Sequence, residues 1–273
     1  MDLKQIEEHW KTWAATFGSN IRATEKSKTR KALEIDALVR AIHKVGFKST
    51  DIFTVLEPGC GTGFNCLSIA EAFPNAQIYG FDYIPEMVKN ARLLQSKTKF
   101  RNIQYAQGNL LDLSAVNLPV KTFDLIFTNR CLINLNTIEL QSEALINLAK
   151  FLKPHGIIIL AENPQHKFNT QNELRDLLNV PPREPPKFNV LVNEEAIIGA
   201  AEKAGMKLVH QDDFSALHDL LLYVLLPKIN GGKIDYEHPI LEAVMEFCPK
   251  VYAKQPNAFG HFGQNKLYTF KKS

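Results

Sequence analysis

Three alternating glycines near residue 60 carry the first sign of chemistry in this sequence. Gly59, Gly61 and Gly63 lie within VLEPGCGTG, and Glu57 stands two residues before the first of them. Glycines let a loop adopt positive φ angles and let its backbone approach a ligand without side-chain bulk. A pyrophosphate site uses a different spacing, G-x-G-x-x-G. The pattern therefore favours a cationic ligand whose ammonium group donates a hydrogen bond to Glu57, directly or through water.

Further polar residues follow the next predicted strands. Asp82 comes nineteen residues after the last of these glycines, and an acid at the end of the second strand can bind both hydroxyls of a ribose. Asn109 and Leu110 follow the third strand, where an amide could bond an adenine edge and an apolar side chain could pack on its face. Asn129 and the backbone of Arg130 follow the fourth strand. Together these residues predict a nucleoside site.

Alternating strand and helix patterns supply the elements that would bring these residues together. The predicted strands are Phe53–Glu57, Gln77–Asp82, Asn102–Gly108, Phe123–Asn129, Gly156–Glu162, Met206–Phe214 and Asn265–Lys271. The predicted helices of the framework are Leu3–Ala15, Arg30–Val45, Phe64–Phe73, Ile84–Lys97, Ile138–Leu152 and Glu194–Ala204. Such alternation implies an α/β fold with a parallel sheet and right-handed crossovers. In such a sheet, ligands bind beyond the carboxyl ends of the strands.

The alternation breaks at two inserts, about 163–193 and 215–262. They contain short helical patterns at Glu173–Leu178, Ala216–Leu226 and Pro239–Phe247, together with the proline cluster VPPREPPKF. We expect both inserts to form a helical lid over the ligand crevice. The predicted organisation is an N-terminal helical cap, 1–50, followed by the main domain, 51–273.

Composition limits the classes of protein to which the chain can belong. Its 273 residues include 32 Lys and Arg against 29 Asp and Glu, a net charge of +3 that is too small to indicate a nucleic-acid partner. The four cysteines show neither a CxxC pair nor a zinc spacing, so we expect reduced thiols and no metal. No apolar run has the length of a signal peptide or a membrane span. The sequence predicts a soluble, cytoplasmic monomer or homodimer without a membrane partner.

The glycine stretch and the later motifs carry a family resemblance. The motifs are VLEPGCGTG, FDYIPEMVKNAR, QGNLLDL and FDLIFTNRCLINL, followed by LKPHGIIILAE. In this order and spacing they resemble class I S-adenosylmethionine-dependent methyltransferases over roughly Phe53–Glu162. The resemblance implies a Rossmann-like, seven-stranded and mostly parallel sheet whose last strand is antiparallel between strands five and six. It also implies a transferase that uses S-adenosylmethionine and releases S-adenosylhomocysteine.

The resemblance also implies where the cofactor binds. The three glycines would cradle its methionine moiety, with Glu57 near the amino group, Asp82 on the ribose and Asn109 on the adenine. The family usually has an acid in place of Asn109, and an amide can still donate and accept hydrogen bonds. Arg22, near the N-terminal helix, is expected at the cofactor carboxylate. The remaining predicted cofactor contacts are Cys60, Tyr83, Met87, Leu110, Leu111, Asn129 and Arg130.

The acceptor of the methyl group is less constrained by the sequence. The fourth motif reads TNRC, unlike the N-P-P-Y pattern of methyltransferases that act on planar amino groups. Aromatic residues in the inserts favour an enclosed small-molecule pocket; they are Phe168, Phe188, Phe214, Tyr223, Tyr236, Phe259 and Phe262. Candidate catalytic bases are Glu162 and His166, with His218 and His261 as further candidates. We predict in-line transfer to a hydroxyl or amine of a small molecule.

Other interpretations stay open. The stretch NELRDLLNVPPREPPKFNVLVNEE is similar to methyltransferases of sugar or cell-surface glycan pathways. An RNA or protein methyltransferase would need an open, basic groove beside the glycines. A nucleotide-dependent oxidoreductase is disfavoured by the glycine spacing and by Glu57. A binding protein that kept the fold and lost turnover is the remaining alternative.

Overall fold

Seven strands form one sheet with the first strand in its interior. The computed structural model describes all 273 residues. The strands are β1 Thr54–Pro58, β2 Gln77–Asp82, β3 Ile103–Gln107, β4 Phe123–Asn129, β5 Leu152–Glu162, β6 Met206–Asp212 and β7 Lys266–Lys272. Their order is β3-β2-β1-β4-β5-β7-β6, and β7 runs antiparallel to both of its neighbours. The predicted seven-stranded, Rossmann-like α/β fold, with the last strand between strands five and six, is therefore confirmed.

Helices cover both faces of this sheet. They are α1 Leu3–Phe17, α2 Lys28–Lys44, α3 Phe64–Ala72, α4 Pro85–Ser96, α5 Ile138–Lys150, α6 Gln165–Leu177, α7 Glu194–Lys203, α8 Ala216–Leu220, α9 Leu226–Ile229 and α10 Pro239–Tyr252. Helices α2, α3, α4 and α10 share one core with the sheet, whereas α5 and α7 share the other. In β4, Leu125 and Phe127 point into the first core and Ile126 into the second. Because both faces are buried, the strand is a continuous apolar run.

The chain order creates a crevice at one edge of the sheet. β1 pairs with β2 on one side and with β4 on the other, and all three run parallel. The connections from these strands therefore leave at the same edge and diverge in opposite directions. Such a switch point is where open α/β sheets bind ligands.

Local signals start the two N-terminal helices. Asp2 accepts a hydrogen bond from the Gln5 backbone N–H at 2.8 Å, and the Gln5 side chain accepts one from the Asp2 backbone at 3.0 Å. This capping box satisfies two backbone donors that the first turn of α1 leaves unpaired. Ser27 caps α2 through the backbone N–H of Arg30. α1 is consequently anchored at its start before it crosses the crevice.

One strand differs from its predicted bounds. β5 begins at Leu152 rather than at the predicted Gly156, and the residues between these two positions form an irregularity inside the strand. Phe123 pairs with Leu152, and Leu125 already pairs with Ile157. The extra residues on β5 form a bulge, in which His155 has a φ of 60°. These residues therefore interrupt the strand rather than separating it from α5.

The first insert contains a longer helix than its sequence predicted. α6 begins at Gln165, whereas the apolar pattern indicated a helix only from Glu173. The buried face of its first turns is partly polar: Lys167 forms an ion pair with Asp213 at 2.8 Å, and Gln171 donates to the Phe262 carbonyl at 2.8 Å. Hydrophobic periodicity cannot detect a helix whose buried side chains are polar.

The second insert is largely helical, and the N-terminal segment packs into the first core. α8 continues through a π-helical turn, Leu221–Leu225, into α9. α2 packs deep in the first core, since Leu38 and Ile42 are fully buried there. The division into a cap, 1–50, and a domain, 51–273, stays a prediction. No helix is both long and apolar enough to cross a membrane.

Candidate active site

A single large cavity lies at the carboxyl ends of β1, β2 and β4. Its volume is about 1060 Å³. The connections after the first four strands line one part, and α1, the segment before α2 and both inserts line the rest. Of the predicted cofactor contacts, the following line this cavity: Gly59, Cys60, Gly61, Asp82, Tyr83, Met87, Asn109, Leu110, Leu111, Asn129, Arg130 and Arg22. The structure therefore gathers most of the predicted residues into one space.

The glycine loop has a shape that side chains would disrupt. Gly59 and Gly61 have φ angles of 64° and 53°. A Cβ on Gly59 would lie 2.5 Å from Cys131 Sγ, and one on Gly61 would lie 2.7 Å from Thr24 Cγ2. Only glycine combines these φ angles with such close neighbours. The loop thus presents bare backbone to the cavity.

Asp82 locks this loop at the end of β2. Its two carboxylate oxygens accept hydrogen bonds from the backbone N–H groups of Gly61 at 2.8 Å and Ile84 at 2.9 Å. Burial raises the pKa of Asp82 to about 6, although these two hydrogen bonds oppose the rise. The carboxylate is therefore mostly ionised at neutral pH. Each oxygen can accept a second hydrogen bond, as a pair of ribose hydroxyls would require.

Asn109 has one side of its amide already occupied. Its Oδ1 accepts a hydrogen bond from the Leu111 backbone N–H at 2.9 Å. The Nδ2 group makes no hydrogen bond to the protein and remains available as a donor. An adenine ring carries acceptor nitrogens, so the available group fits the predicted contact. The glycine cradle, Asp82 and Asn109 together fit S-adenosylmethionine.

Comparison with known proteins decides the family. The family model described as "Methyltransferase domain" matches residues 49–206, which is more than half of the chain. The chain belongs to this family. Family membership confirms the predicted enzyme class and the predicted cofactor, S-adenosylmethionine.

Curated relatives share the central part of this methyltransferase. "Malonyl-[acyl-carrier protein] O-methyltransferase 2" of Ilyobacter polytropus is 32% identical over 130 residues, covering 48% of this chain and 46% of the relative. "Trans-aconitate 2-methyltransferase" of Deinococcus radiodurans is 28% identical over 112 residues, covering 41% and 38%. The chain thus spans about half or less of the length of these relatives.

Solved structures show the same fold over most of the methyltransferase. Magnesium protoporphyrin IX methyltransferase of Synechocystis PCC 6803, crystallised with S-adenosylhomocysteine, superposes with a TM-score of 0.56. The match covers 89% of this chain and 84% of that protein at 15% identity. At this identity the likeness concerns the fold alone.

The sequence predicted Glu57 beside the ligand, but its side chain does not line the cavity. It is buried beneath the glycine loop, where it accepts hydrogen bonds from Asn65 Nδ2 at 2.6 Å and Cys66 Sγ at 2.9 Å. Burial raises the pKa of Glu57 to about 7. The carboxyl therefore holds the first turn of α3 instead of a ligand. Gly63 likewise lies outside the cavity, at the start of α3, where a Cβ would meet the Tyr105 hydroxyl.

The predicted catalytic bases Glu162 and His166 also lie elsewhere. Glu162 is buried, and its Oε1 accepts hydrogen bonds from Thr128 Oγ1 at 2.8 Å and from the Cys131 backbone at 3.0 Å. It fixes the connection after β4 and does not line the cavity. His166 is exposed on α6, with Nε2 3.6 Å from Glu194. Glu162 is the last residue of β5 and His166 follows the strand, but the sequence could not show which way their side chains point.

The two further candidate histidines are outside the cavity as well. His218 is fully buried between Thr29 Oγ1 at 2.8 Å and Asp219 Oδ1 at 2.9 Å. Both of its ring nitrogens are occupied. His261 is exposed, and its backbone carbonyl accepts from Lys167. Neither side chain reaches the space where an acceptor would bind.

His9 is the histidine that does line the cavity. It lies on α1, stacked on Phe188 with ring centroids 3.9 Å apart. Its Nε2 is buried and has no hydrogen-bond partner in the protein. Burial lowers the pKa of His9, and the positive charge of Lys26 lowers it further. In the sequence, the only indication that His9 lines the site is its position four residues before Trp13, on the same face of the helix.

A buried charge network joins the N-terminal segment to the loop after β4. Arg130, with a φ of 52°, pairs with Glu25 at 2.9 Å and with Glu34 at 3.0 Å. Burial alone would raise the pKa of Glu34, but Arg130 and Lys31 outweigh it and hold the pKa below its ordinary value. Asn129 Nδ2 donates to Glu34 at 3.1 Å. The predicted residues Asn129 and Arg130 therefore use their side chains to hold α2 at the cavity wall.

Part of the aromatic set of the inserts lines the cavity. Phe168, Phe188, Tyr223 and Tyr236 line the cavity, as expected from their place in the inserts. Phe214 and Phe259 belong instead to the main core, and Phe262 does not line the cavity. The inserts thus contribute aromatic walls together with polar groups.

Proposed function

We propose that this methyltransferase transfers a methyl group from S-adenosylmethionine to a hydroxyl or amine of a small molecule enclosed in the cavity. One observation supports the proposal above all. The same cavity continues from the glycine loop and Asp82 to the wall formed by α1 and the inserts. A space of about 1060 Å³ is larger than the nucleoside cofactor needs, so it leaves room for an acceptor.

The chain's own residues would bind and orient the cofactor. The backbone of the loop around Gly59 faces its methionine moiety, Asp82 accepts from its ribose hydroxyls, and Asn109 donates to its adenine. When bound, S-adenosylmethionine supplies a methyl group on a positively charged sulfur, and its leaving group is neutral. The protein therefore needs mainly to align the acceptor and exclude water, which is a proximity effect.

His9 is the proposed proton acceptor. A hydroxyl or protonated amine must lose a proton on methylation, and a positioned base commonly contributes about 10²- to 10⁴-fold to such a step. The lowered pKa keeps His9 neutral at physiological pH. Its buried, unpartnered Nε2 can then accept the proton.

The named relatives support a small-molecule or acyl acceptor rather than a nucleic acid. One is named for malonyl-[acyl-carrier protein] and the other for trans-aconitate. An RNA or protein methyltransferase would need an open groove at this place. The contact of α1 with the loop after β4 argues against that alternative, because Trp10 Nε1 donates to Asn134 Oδ1 at 3.1 Å and both residues line the cavity. The glycan-pathway and oxidoreductase hypotheses gain no support from the site.

Calorimetric titration with S-adenosylhomocysteine tests the cofactor site. We expect wild-type protein to bind it and Asp82→Ala to bind it ten- to a hundredfold more weakly, because hydrogen bonds to a charged group contribute about 1.5–3 kcal/mol. Asp176→Ala, an exposed position on α6, serves as the matched control and should bind normally. Equal affinities for wild type and Asp82→Ala would contradict the proposal. Asp82→Asn, which keeps the side-chain shape, separates loss of charge from collapse of the loop.

A further inference from the structure

Arg183 is a cavity-lining cation that has no carboxylate partner. It lies in the proline-rich part of the first insert, and its guanidinium is placed over the Tyr223 ring, 3.7 Å from the centroid. Nη2 donates to Gln264 Oε1 at 2.7 Å. Nη1 is buried and has no hydrogen-bond partner. No acidic oxygen lies within ion-pair distance of this guanidinium, although it is largely enclosed.

Neighbouring arginines in the same region are satisfied by the protein. Arg30 pairs with Glu25 at 2.7 Å and also contacts the Tyr223 hydroxyl. Arg175 donates to the backbone carbonyls of Pro181, at 2.7 Å, and Tyr223. A buried charge is normally paired, since its desolvation is otherwise uncompensated. Arg175, like Arg183, pairs with no carboxylate, but Arg183 differs because its buried Nη1 has no acceptor in the chain, which calls for a partner outside the chain.

The guanidinium is held in place before any ligand arrives. Asn172 Oδ1 accepts from the Arg183 backbone N–H and Asn172 Nδ2 donates to the Arg183 carbonyl, both at 2.9 Å. The Phe168 ring lies 4.8 Å from the guanidinium carbon, in addition to the Tyr223 ring. Backbone and side chain are thus both fixed. A cation that is oriented in advance loses little conformational freedom on binding an anion.

The wider cavity is also electropositive. Its wall carries seven lysine and arginine side chains against four carboxylates. One of these carboxylates, Glu25, is already shared by Arg30 and Arg130. Another, Asp82, belongs to the cofactor site. Of the other two, Glu7 pairs with Lys11, and Glu184 is exposed and forms no ion pair with Arg183.

We propose that Arg183 binds a carboxylate of the acceptor, so that the acceptor is a small organic acid. This inference rests on the proposed function and narrows its substrate class. A planar guanidinium matches the two oxygens of a carboxylate, and the aromatic rings of Phe168 and Tyr223 confine the plane in which it lies. Phosphate shares the anionic oxygens but is tetrahedral, and it is distinguished by the experiment below.

Titration of small acids into the protein tests this assignment. The probes are malonate, succinate and citrate, with succinamide as the uncharged analogue and inorganic phosphate as the tetrahedral anion, each at low salt and in the presence of S-adenosylhomocysteine. We expect at least one of the three acids to bind, succinamide to fail, and Arg183→Met to weaken acid binding tenfold or more. Lys187→Met, an exposed cation on the same loop, should leave acid binding unchanged.

Two sets of outcomes would overturn the proposal. One is absence of acid binding, or equal acid binding by wild type and Arg183→Met. The other is a clear preference for inorganic phosphate over all three acids. If Arg183→Met does not fold, Arg183→Lys replaces it; it keeps the charge without the planar fork and should still lower acid affinity several-fold. S-adenosylhomocysteine titrated alone should bind wild type and Arg183→Met equally, so failure of that titration counts against the proposed function and not against the role of Arg183.

Discussion

At the scale of single residues, some side chains of the site line the cavity and others stabilise the loops around it. Asp82 does both, because it fixes the loop through Gly61 and still has lone pairs for a ribose. Glu57 and Glu162 do not line the cavity: both oxygens of Glu57 accept hydrogen bonds from α3, and Glu162 Oε1 accepts from Thr128 and the backbone after β4. His9 lines the cavity, and its Nε2 has no hydrogen-bond partner in the protein. Residue type and spacing predicted that carboxylates would matter, but only their hydrogen bonds show which of them face a ligand.

The titration of His9 is a direct consequence of its environment. We expect the imidazole pKa, measured by NMR, to lie below the ordinary value of 6.5 because burial and Lys26 both disfavour the charged form. Phe188→Ala opens the stacked face to water and should raise the pKa toward that value. Only the neutral imidazole accepts a proton, so methyl transfer to a hydroxyl or amine should fall as the pH drops through this pKa.

A remote aromatic residue provides the control for this experiment. Phe247→Ala, on the half-exposed side of α10, should leave the pKa of His9 unchanged. A wild-type pKa at or above 6.5 would show that His9 is not shielded from solvent. An unchanged pKa in Phe188→Ala would show that the stacking does not cause the shift.

At the scale of elements, α2 and the loop after β4 form one wall of the cavity. Glu34 on α2 joins them, because its carboxylate pairs with Arg130 and Lys31 and accepts from Asn265 at 2.6 Å. The sequence predicted α2 as part of an N-terminal helical cap, 1–50. Lys31 and Glu34 are in fact buried, and the charge pattern of α2 alone cannot show this because Arg130, which also pairs with Glu34, is far away in the sequence.

Loss of this carboxylate should destabilise the fold. Glu34→Gln leaves buried cations without their partner, and breaking a buried ion pair from one side typically costs about 3–5 kcal/mol. Urea unfolding of wild type, Glu34→Gln and the exposed control Glu202→Gln measures the effect. The pKa of Glu34 is lowered in the folded state, so its stabilising contribution should be complete above pH 4.5 and decline as the pH falls below that value. Equal stability of the two variants would contradict the network's role.

At the scale of the whole molecule, the sheet could be predicted almost entirely from the sequence, whereas the packing of α1 and the inserts around the cavity could not. β2 and β4 match their predicted bounds because they are short apolar runs ending at turn residues. The start of α6 escaped prediction because polar contacts with distant residues position it. The orientation of His9 escaped prediction because its ring stacks on Phe188, which is far away in the sequence. The same limit applies to Arg183, whose missing partner is visible only once all its neighbours are in place.

The central claim is that the glycine loop and Asp82 bind one S-adenosyl nucleoside within the cavity. A crystal structure of the protein with S-adenosylhomocysteine tests it most directly. We expect the ribose hydroxyls to lie within hydrogen-bond distance of Asp82, the adenine beside Asn109, and open space between the sulfur and His9. A nucleoside bound elsewhere, or a glycine loop left without ligand at saturating S-adenosylhomocysteine, would contradict the account.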